Sequence, residues 1–509
     1  MAAHPAPVRT AAETAAPPPA ALGVLDDPSN RRGPFRPGRL ASVRERLSGP
    51  TLARLFRYMD YAAVAGVTVA GAMVQAPAGP LAQPFGAVLP LIAVSLAALW
   101  ALSSLRAYGF SSRETPQRHA ARIAGACTLA AIAGLVAAAL ADPGGMTQVE
   151  AFAACIFAAL SAVHLWAWAA VRHWRSQGRL TPNVVVVGAT DNAAMLIQSA
   201  LDSREVNVLG IFDDRSARSP ADLHGVPVLG DTHALLEHKI LPFVDRIVIT
   251  VTASAQTRVR ALIEQLRVLP NAVTLFVDVE GQDTRAATLS RLADTPLTQV
   301  AGINEDERRA FHKRVQDLVC GGLGLIVFAP VMAIIAVAIR LDSPGPVMFR
   351  QRRHGFNNEA IVVWKFRSMR HEKADPIVVS QQVRKDDDRV TRVGRFIRRT
   401  SLDELPQIFN VLSGEMSLVG PRPHPIGMIT AGEESQRLVA EYAWRHRMKP
   451  GITGWAQING SRGPVHNREE VRRRVVLDVE YIERQSFWFD LWIMLMTLPC
   501  LLGDRDTIR

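Results

Sequence analysis

The sequence predicts three parts in series: an α-helical membrane bundle, a doubly wound α/β domain, and a second α/β region tied to one face of the bilayer by a re-entrant helix. Three observations lead there. Hydrophobic residues are 48% of the 509, yet the formal net charge is +11. That balance belongs to a membrane protein working at an anionic surface or on anionic substrates. Four apolar segments, near 58–76, 85–105, 121–141 and 149–171, are each long enough to cross roughly 30 Å of hydrocarbon. Strand-like and helix-like stretches then alternate, as a doubly wound sheet requires.

Residues 1–50 are rich in Ala, Pro, Ser and Arg without periodicity and without a secretory pattern; they read as a disordered cytosolic tail. The bundle, 51–176, is oriented by its flanks. Arginines from Arg31 to Arg57 precede the first segment, and the loop near 77–84 is uncharged. Arg106, Arg113, Arg118 and Arg122 follow the second segment, Asp142 and Glu150 the third, and Arg172, Arg175 and Arg179 the fourth. Basic loops alternate, so both ends of the bundle are expected in the cytoplasm. Buried helices of a soluble protein would leave that alternation unexplained. Because the arginines flank apolar runs and form no single basic face, no nucleic-acid partner is expected. Cys127, Cys155, Cys320 and Cys500 lie in apolar stretches with no C-x-x-C pair, which excludes a zinc site or a disulfide framework.

Residues 182–300 supply strands near 183–189, 208–214, 245–251 and 272–278, with helices near 191–202 and 255–268. The first strand ends in Gly188-Ala189-Thr190-Asp191-Asn192-Ala193. A dinucleotide fingerprint needs further glycines for close approach to a pyrophosphate, and Asp191 would repel one. A catalytic nicotinamide cofactor is not expected here; structural, assembly or regulatory duty is, with ligand binding left open.

The third part, 305–509, opens with an apolar run, Leu318 to Leu341, interrupted by Pro330. Arg308, Arg309, Lys313 and Arg314 precede it; Arg350, Arg352 and Arg353 follow. Basic flanks on both sides place both ends in the cytoplasm. A single segment satisfies that as a re-entrant helix over 311–341 that breaks at Pro330 and returns; a plain spanning helix is the alternative. In V-V-W-K-F-R-S-M-R (362–370), Lys365 and Arg367 share one face of a strand, which a charged edge strand would also explain. Asp386, Asp387 and Asp388 read as a solvated turn. The run 395–423 sets Asp403 and Glu404 between Arg395, Arg398 and Arg399 on one side and Arg422 on the other. Thr400 or Ser401 is expected to cap a short helix with Pro406 in its first turn. A carboxylate there, among guanidinium groups, is held ionised. Such a set suits phosphoryl chemistry, with a nucleophile, an oxygen ligand for a hard cation, and cations for phosphate. Acids favouring a helix dipole beside a solvated basic face are the plainer reading. Trp455, Gln457 and Asn459 lie in a Gly-rich stretch able to touch a sugar or base. Asp478 and Glu480 share a strand face or oppose each other on a helix. F-W-F-D-L-W (487–492) opens an expected interfacial helix carrying Asp490.

R-x-T-S-L-D-E-L-P-Q-x-F-N-V-L-x-G-x-M-S-L-V-G-P-R-P (398–423) resembles the signature of the bacterial sugar transferases, the polyprenyl-phosphate hexose-1-phosphate transferases. The likeness extends over roughly 305–509 and takes in K-F-R-S-M (365–369) and P-G-I-T-G-W-A-Q-I-N-G (450–460). It implies a membrane α-helical bundle plus a Rossmann-like α/β domain plus a monotopic α/β catalytic domain with a re-entrant membrane helix, as in long members of the family. It implies transfer of hexose-1-phosphate from a UDP-hexose, glucose or galactose, to undecaprenyl phosphate with release of UMP. Asp403 would be the nucleophile and Glu404 the Mg²⁺ ligand. Arg398 and Arg422 match positions that contact phosphate oxygens, Lys365 and Arg367 line the same pocket, and Asp478 matches an acid nearby. The partners are the lipid bilayer and the two substrates, at the cytoplasmic face of the bacterial inner membrane. The bundle, which short members lack, would hold a homodimer or an export assembly. Ala329-Pro330 stands where a Ser-Pro break is typical. Two rivals remain. A membrane-bound NAD-dependent dehydratase needs Y-x-x-x-K, and none of Tyr58, Tyr61, Tyr108, Tyr442 and Tyr481 has a lysine four residues on; the other rival is a non-enzymatic scaffold.

Overall fold

The computed structural model describes residues 46–75, 85–110, 114–141, 146–203, 206–215, 220–250, 256–276, 299–301, 307–370, 389–430, 432–463 and 465–503. The expected tail before residue 46, the uncharged loop near 77–84 and the Asp386–Asp388 turn lie outside the described residues.

Four helices form the bundle: α1 (Gly49–Gln75), α2 (Phe85–Ser104), α3 (Pro116–Ala141) and α4 (Met146–Ser176). Their shared core includes Phe56, Val94, Leu102, Ile156 and Leu160, packed tightly enough that a Cβ on Gly134 would meet Val94 at 2.2 Å. A buried polar seam crosses this core. Tyr108 donates to Asp60 at 2.8 Å, and His164 lies 3.1 Å from the same carboxylate oxygen. His119 and His164 are 3.0 Å apart, and Glu114 caps the chain 3.4 Å from His119. Among the described residues, four helices are long and apolar enough to cross a membrane, but they are not the four expected. They are α2, α3, α4 and the long helix of the third part. Helix α1 falls short because Arg54, Arg57 and Asp60 occupy its first turns.

The second part is a seven-stranded sheet of order β3-β4-β2-β1-β5-β6-β7. Its strands are β1 (Asn183–Val187), β2 (Asn207–Phe212), β3 (Asp222–Leu223), β4 (Val226–Gly230), β5 (Arg246–Ile249), β6 (Ala272–Leu275) and β7 (Gln299–Ala301). The central strands β4, β2, β1, β5 and β6 run parallel; β3 and β7 add antiparallel edges. Strand β1 is buried along its whole length, as a strand covered on both faces must be. Helices α5 (Asp191–Ser203), α6 (Thr232–Leu236) and α7 (Gln256–Leu266) make the connections.

The third part begins with α8 (Glu307–Asp342). The helix continues through Pro330, so the expected interruption there is not seen. One proline removes a single backbone bond, and the turns on either side keep theirs. Both ends of α8 nonetheless pack on one domain. Near its start Arg314 donates to the carbonyls of Val411 and Leu412 at 2.6 and 2.8 Å. Near its end Met332, Ile335 and Ile339 pack with Phe366 and Ile397, and Asp342 accepts from the Val393 amide at 3.1 Å. The opposite face leaves Ile326, Val327, Ile334, Val337 and Leu341 exposed.

Around α8 fold the antiparallel pair β8 (Met348–His354) and β9 (Ala360–Phe366), then α9 (Arg392–Arg399) and α10 (Gln407–Ser413). Strand β10 (Ser417–Val419) pairs in parallel with β13 (Gly451–Thr453), and β11 (Ile429–Thr430) pairs antiparallel with β12 (Glu433–Glu434). Helices α11 (Ser435–Leu438), α12 (Trp455–Ile458), α13 (Arg468–Arg484) and α14 (Phe487–Gly503) complete the domain. Asp490, unexpected in so apolar a helix, docks α14 on α8. It is buried and accepts from Lys313 at 2.8 Å, Tyr481 at 2.7 Å and Gln485 at 2.9 Å, so its charge is paired inside. The outer face of α14 keeps Trp488 and Leu495 exposed, as an interfacial helix would.

Candidate active site

The acid pair sits on a single 3-10 turn, Leu402–Glu404. Leu402 and Leu405 bracket it and pack into the cluster of Met332, Ile335, Ile339, Phe366 and Ile397, which seats the acids against the second half of α8. The expected capping does not occur. Thr400 ends α9, donating to Phe396 at 2.9 Å. Ser401 turns the chain through a left-handed conformation, φ 57°, an uncommon one for a residue with a Cβ. Pro406 stands at the N-cap of α10 without a side-chain bond. The helix expected to start at the acid pair starts instead at Gln407, after the separate turn that carries the two acids.

Two elements converge on Glu404. Lys365, from β9, donates to Oε1 at 2.7 Å. Arg422, from the loop after β10, donates to Oε1 at 2.7 Å and Oε2 at 3.2 Å. Asp403 Oδ2 is 4.0 Å from Lys365. Burial acts to raise the pKa of Glu404, but Arg422 and Lys365 override it and hold the carboxyl well below its usual range. Asp403 goes the other way. Burial raises its pKa, Glu404 adds to that, and Lys365, Arg398 and Arg422 only partly oppose it. The two acids expected to be held ionised alike are therefore set apart by their neighbours. Glu404 is the fixed anion, and Asp403 is the less tightly paired one.

Arg367 does not join them. It is buried and donates to the carbonyls of Pro344 and Ser343, both at 2.6 Å, closing the end of α8. It lies just past the end of β9, so the strand face it was expected to share with Lys365 does not reach it. Arg398 lies in the last turn of α9, near enough for its charge to bear on Asp403. Asp478 lies on α13, a helix, and is buried against Arg445 at 2.8 Å. Burial pushes its pKa up while Arg445 pulls it down. It reaches the acid pair only indirectly, since Arg445 donates to the carbonyl of Arg422 at 2.7 Å. Trp455 packs with Phe489 and Trp492 and donates to Glu480 at 3.0 Å, so it braces α14 where a sugar-contacting residue was expected. Two arginines were not expected at the site. Arg353, on β8, has its pKa lowered to about 10 by burial and by Arg422, and Arg445 had no local signal at all.

Glu404 accepts three hydrogen bonds, while a carboxylate offers about four lone-pair sites. One remains for a metal, and an ion of the magnesium type binds through one or two carboxylates plus substrate phosphates. The donor set fits such an ion.

Residues 308–504 match the family described as bacterial sugar transferase, and residues 104–276 match one described as CoA-binding domain. A UDP-glucose:undecaprenyl-phosphate glucose-1-phosphate transferase of Xanthomonas campestris pv. campestris is 37% identical over 66% of this chain and 69% of its own length. An exopolysaccharide production protein of Rhizobium leguminosarum bv. phaseoli is 47% identical over 36% of this chain and 92% of its length. A UDP-N-acetylgalactosamine-undecaprenyl-phosphate N-acetylgalactosaminephosphotransferase of Aeromonas hydrophila is 40% identical over 38% of this chain and 44% of its length. The CoA-binding description implies a phosphate-bearing ligand for the middle domain, and the described residues do not fit one at the first turn. The Ala189 amide donates to Asp213 at 2.7 Å, and Asp213 is itself held by Arg215 at 3.0 Å. The donor a phosphate would need is spent on a carboxylate.

Proposed function

The chain belongs to the bacterial sugar transferase family, and from that premise we propose that it transfers hexose-1-phosphate from a UDP-hexose to undecaprenyl phosphate at the cytoplasmic face of the inner membrane. The observation that carries this reading is the split between the two acids. Glu404 is paired with two cations, which leaves Asp403 beside the same cations but less tightly bound by them. A nucleophilic carboxylate must be ionised yet not locked in an ion pair. An oxygen of Asp403 attacks the β-phosphorus of the UDP-hexose. The bond from that phosphorus to the bridging oxygen breaks, and UMP leaves with the electron pair. A phosphate oxygen of undecaprenyl phosphate then attacks the same phosphorus, the bond to Asp403 breaks, and the carboxylate is regenerated. Splitting the transfer avoids direct collision of two anionic substrates. Lys365 and Arg422 neutralise the phosphate oxygens and stabilise the charge that builds on them. Mg²⁺, held by Glu404 and the donor's phosphates, would add Lewis-acid neutralisation of the diphosphate. The apolar faces of α8 and α14 support this placement, since the acceptor's phosphate lies at the headgroup layer with its tail in lipid. Both ends of α8 packing on one domain support their lying on the same side of the bilayer, a re-entrant course taken by a helix bent at its proline and not interrupted there.

UMP release from UDP-glucose and UDP-galactose with undecaprenyl phosphate tests the reading, using the full chain in detergent or nanodiscs. Wild type is expected to release UMP with one of them, and Asp403→Asn to lose on the order of 10³-fold or more. Full activity in Asp403→Asn would remove the nucleophile; a wild type inert with every UDP-hexose would remove the function.

A further inference from the structure

Arg422 can grip Glu404 only if its own main chain is fixed, and nothing regular holds it. Strand β10 ends at Val419, and the loop continues Gly420-Pro421-Arg422-Pro423-His424. Pro421 and Pro423 have no amide hydrogen, so the loop is anchored chiefly through its carbonyls. Four in succession are satisfied. The Pro421 carbonyl accepts from the Gly451 amide at 3.0 Å, and the His424 carbonyl accepts from the His354 amide at 3.0 Å. Between them, the Arg422 carbonyl accepts from Arg445 at 2.7 Å and the Pro423 carbonyl from Arg353 at 2.7 Å. The outer two are main-chain contacts; the inner two, around the residue that touches Glu404, are guanidinium groups.

Each guanidinium is itself aligned from behind. Arg445 is almost wholly buried and pairs with Asp478 at 2.8 Å; it also lies 2.9 Å from His424 Nε2. Arg353 donates to Gln351 Oε1 at 2.9 and 3.2 Å. A planar fork reaches a carbonyl on one side and an acceptor on the other, which an ammonium group cannot match. Burying two guanidinium groups to hold two carbonyls is costly, and a fold needing only a closed loop has cheaper means.

We propose that Arg445 and Arg353 are positioning residues for the transfer: each grips a carbonyl of the Arg422–Pro423 segment and so fixes the Arg422 guanidinium on Glu404. Asp478 then acts through Arg445 and not on substrate. The proposal rests on the transferase reading for its assay.

A double-mutant cycle tests it. Arg445→Lys, Arg422→Ala and the double variant are compared in UMP release and in UDP affinity followed by tryptophan fluorescence. If Arg445 works through Arg422, Arg445→Lys alone lowers kcat on the order of 10²-fold, the cost of roughly an ångström of misplacement. On the Arg422→Ala background it then changes little, because contacting residues are strongly non-additive. Arg353→Gln, on a different element, is carried through the same cycle and keeps the test open if Arg445→Lys fails to fold. Equal losses on both backgrounds mean a general structural role and overturn the proposal, as does unchanged activity in Arg445→Lys and Arg353→Gln. A wild type that releases no UMP defeats the transferase reading instead. The shape of the cycle in UDP affinity then decides the positioning claim by itself.

Discussion

Gly394 offers the sharpest test of how tightly the site is built. It lies in the first turn of α9, where Thr391 caps the helix by accepting from the Gly394 amide at 2.9 Å. A Cβ added there would stand 2.0 Å from the carbonyl oxygen of Ser368 and 2.7 Å from its carbon. Contacts under 3.0 Å essentially never occur for a real Cβ, and the atom met is backbone. Gly394→Ala must therefore push α9 at least an ångström from the end of β9. Lys365 rides on β9, and the acid turn follows α9 directly, so the displacement falls between Lys365 and Asp403–Glu404. A misplacement of about 1 Å at reacting groups costs on the order of 10²-fold in rate, while overpacking alone costs about 1–3 kcal/mol and should leave the domain folded. The assay is UMP release at saturating UDP-hexose and undecaprenyl phosphate, with a thermal melt of the same sample. Gly322→Ala is the control, since nothing lies within 4 Å of its Cβ, and it should keep full activity. A folded Gly394→Ala enzyme within twofold of wild type would refute the argument that helix and strand are locked at this contact.

Other outcomes follow from the same structure. Burial raises the pKa of Asp403, so the acid limb of kcat/KM should lie above an ordinary aspartate's; Lys365→Met removes an opposing cation and should move it higher still. A pH–rate profile in which Lys365→Met lowers or leaves that limb contradicts the assignment. Lys313→Met strands the buried Asp490 and should cost about 3–5 kcal/mol, read as early loss of α14 from α8 by limited proteolysis. Asp245, which pairs with Arg46 at 3.0 Å, has its pKa pushed up to about 6 by burial. The folded state thus binds its proton more tightly than the unfolded chain does, and stability should fall as pH rises from about 4 to about 6. Asp245→Asn should flatten that slope in thermal melts taken across the window. Asp60→Leu removes the common acceptor of Tyr108 and His164. It should destabilise the bundle by about 1–3 kcal/mol through unpaired buried groups, seen as a lower melting temperature in detergent.

The division into bundle, doubly wound domain and third α/β part was legible in the chain because each rests on local periodicity and on charge flanking apolar runs, which a few turns suffice to encode. The acid pair and its cations were legible as a set of residue types at short spacing. What the tertiary structure alone decided was partnership. It gave Lys365 and Arg422 to Glu404 and left Asp403 less tightly held, although the two acids are adjacent. It ended β9 at Phe366 and sent Arg367 to the end of α8, although alternation alone would set it on one face with Lys365. It joined Asp60 to His164 across 104 positions and set Arg445 behind Arg422. A sequence pattern states which face a side chain takes, but a hydrogen bond depends on tenths of an ångström between distant segments, and only the packed chain determines those distances.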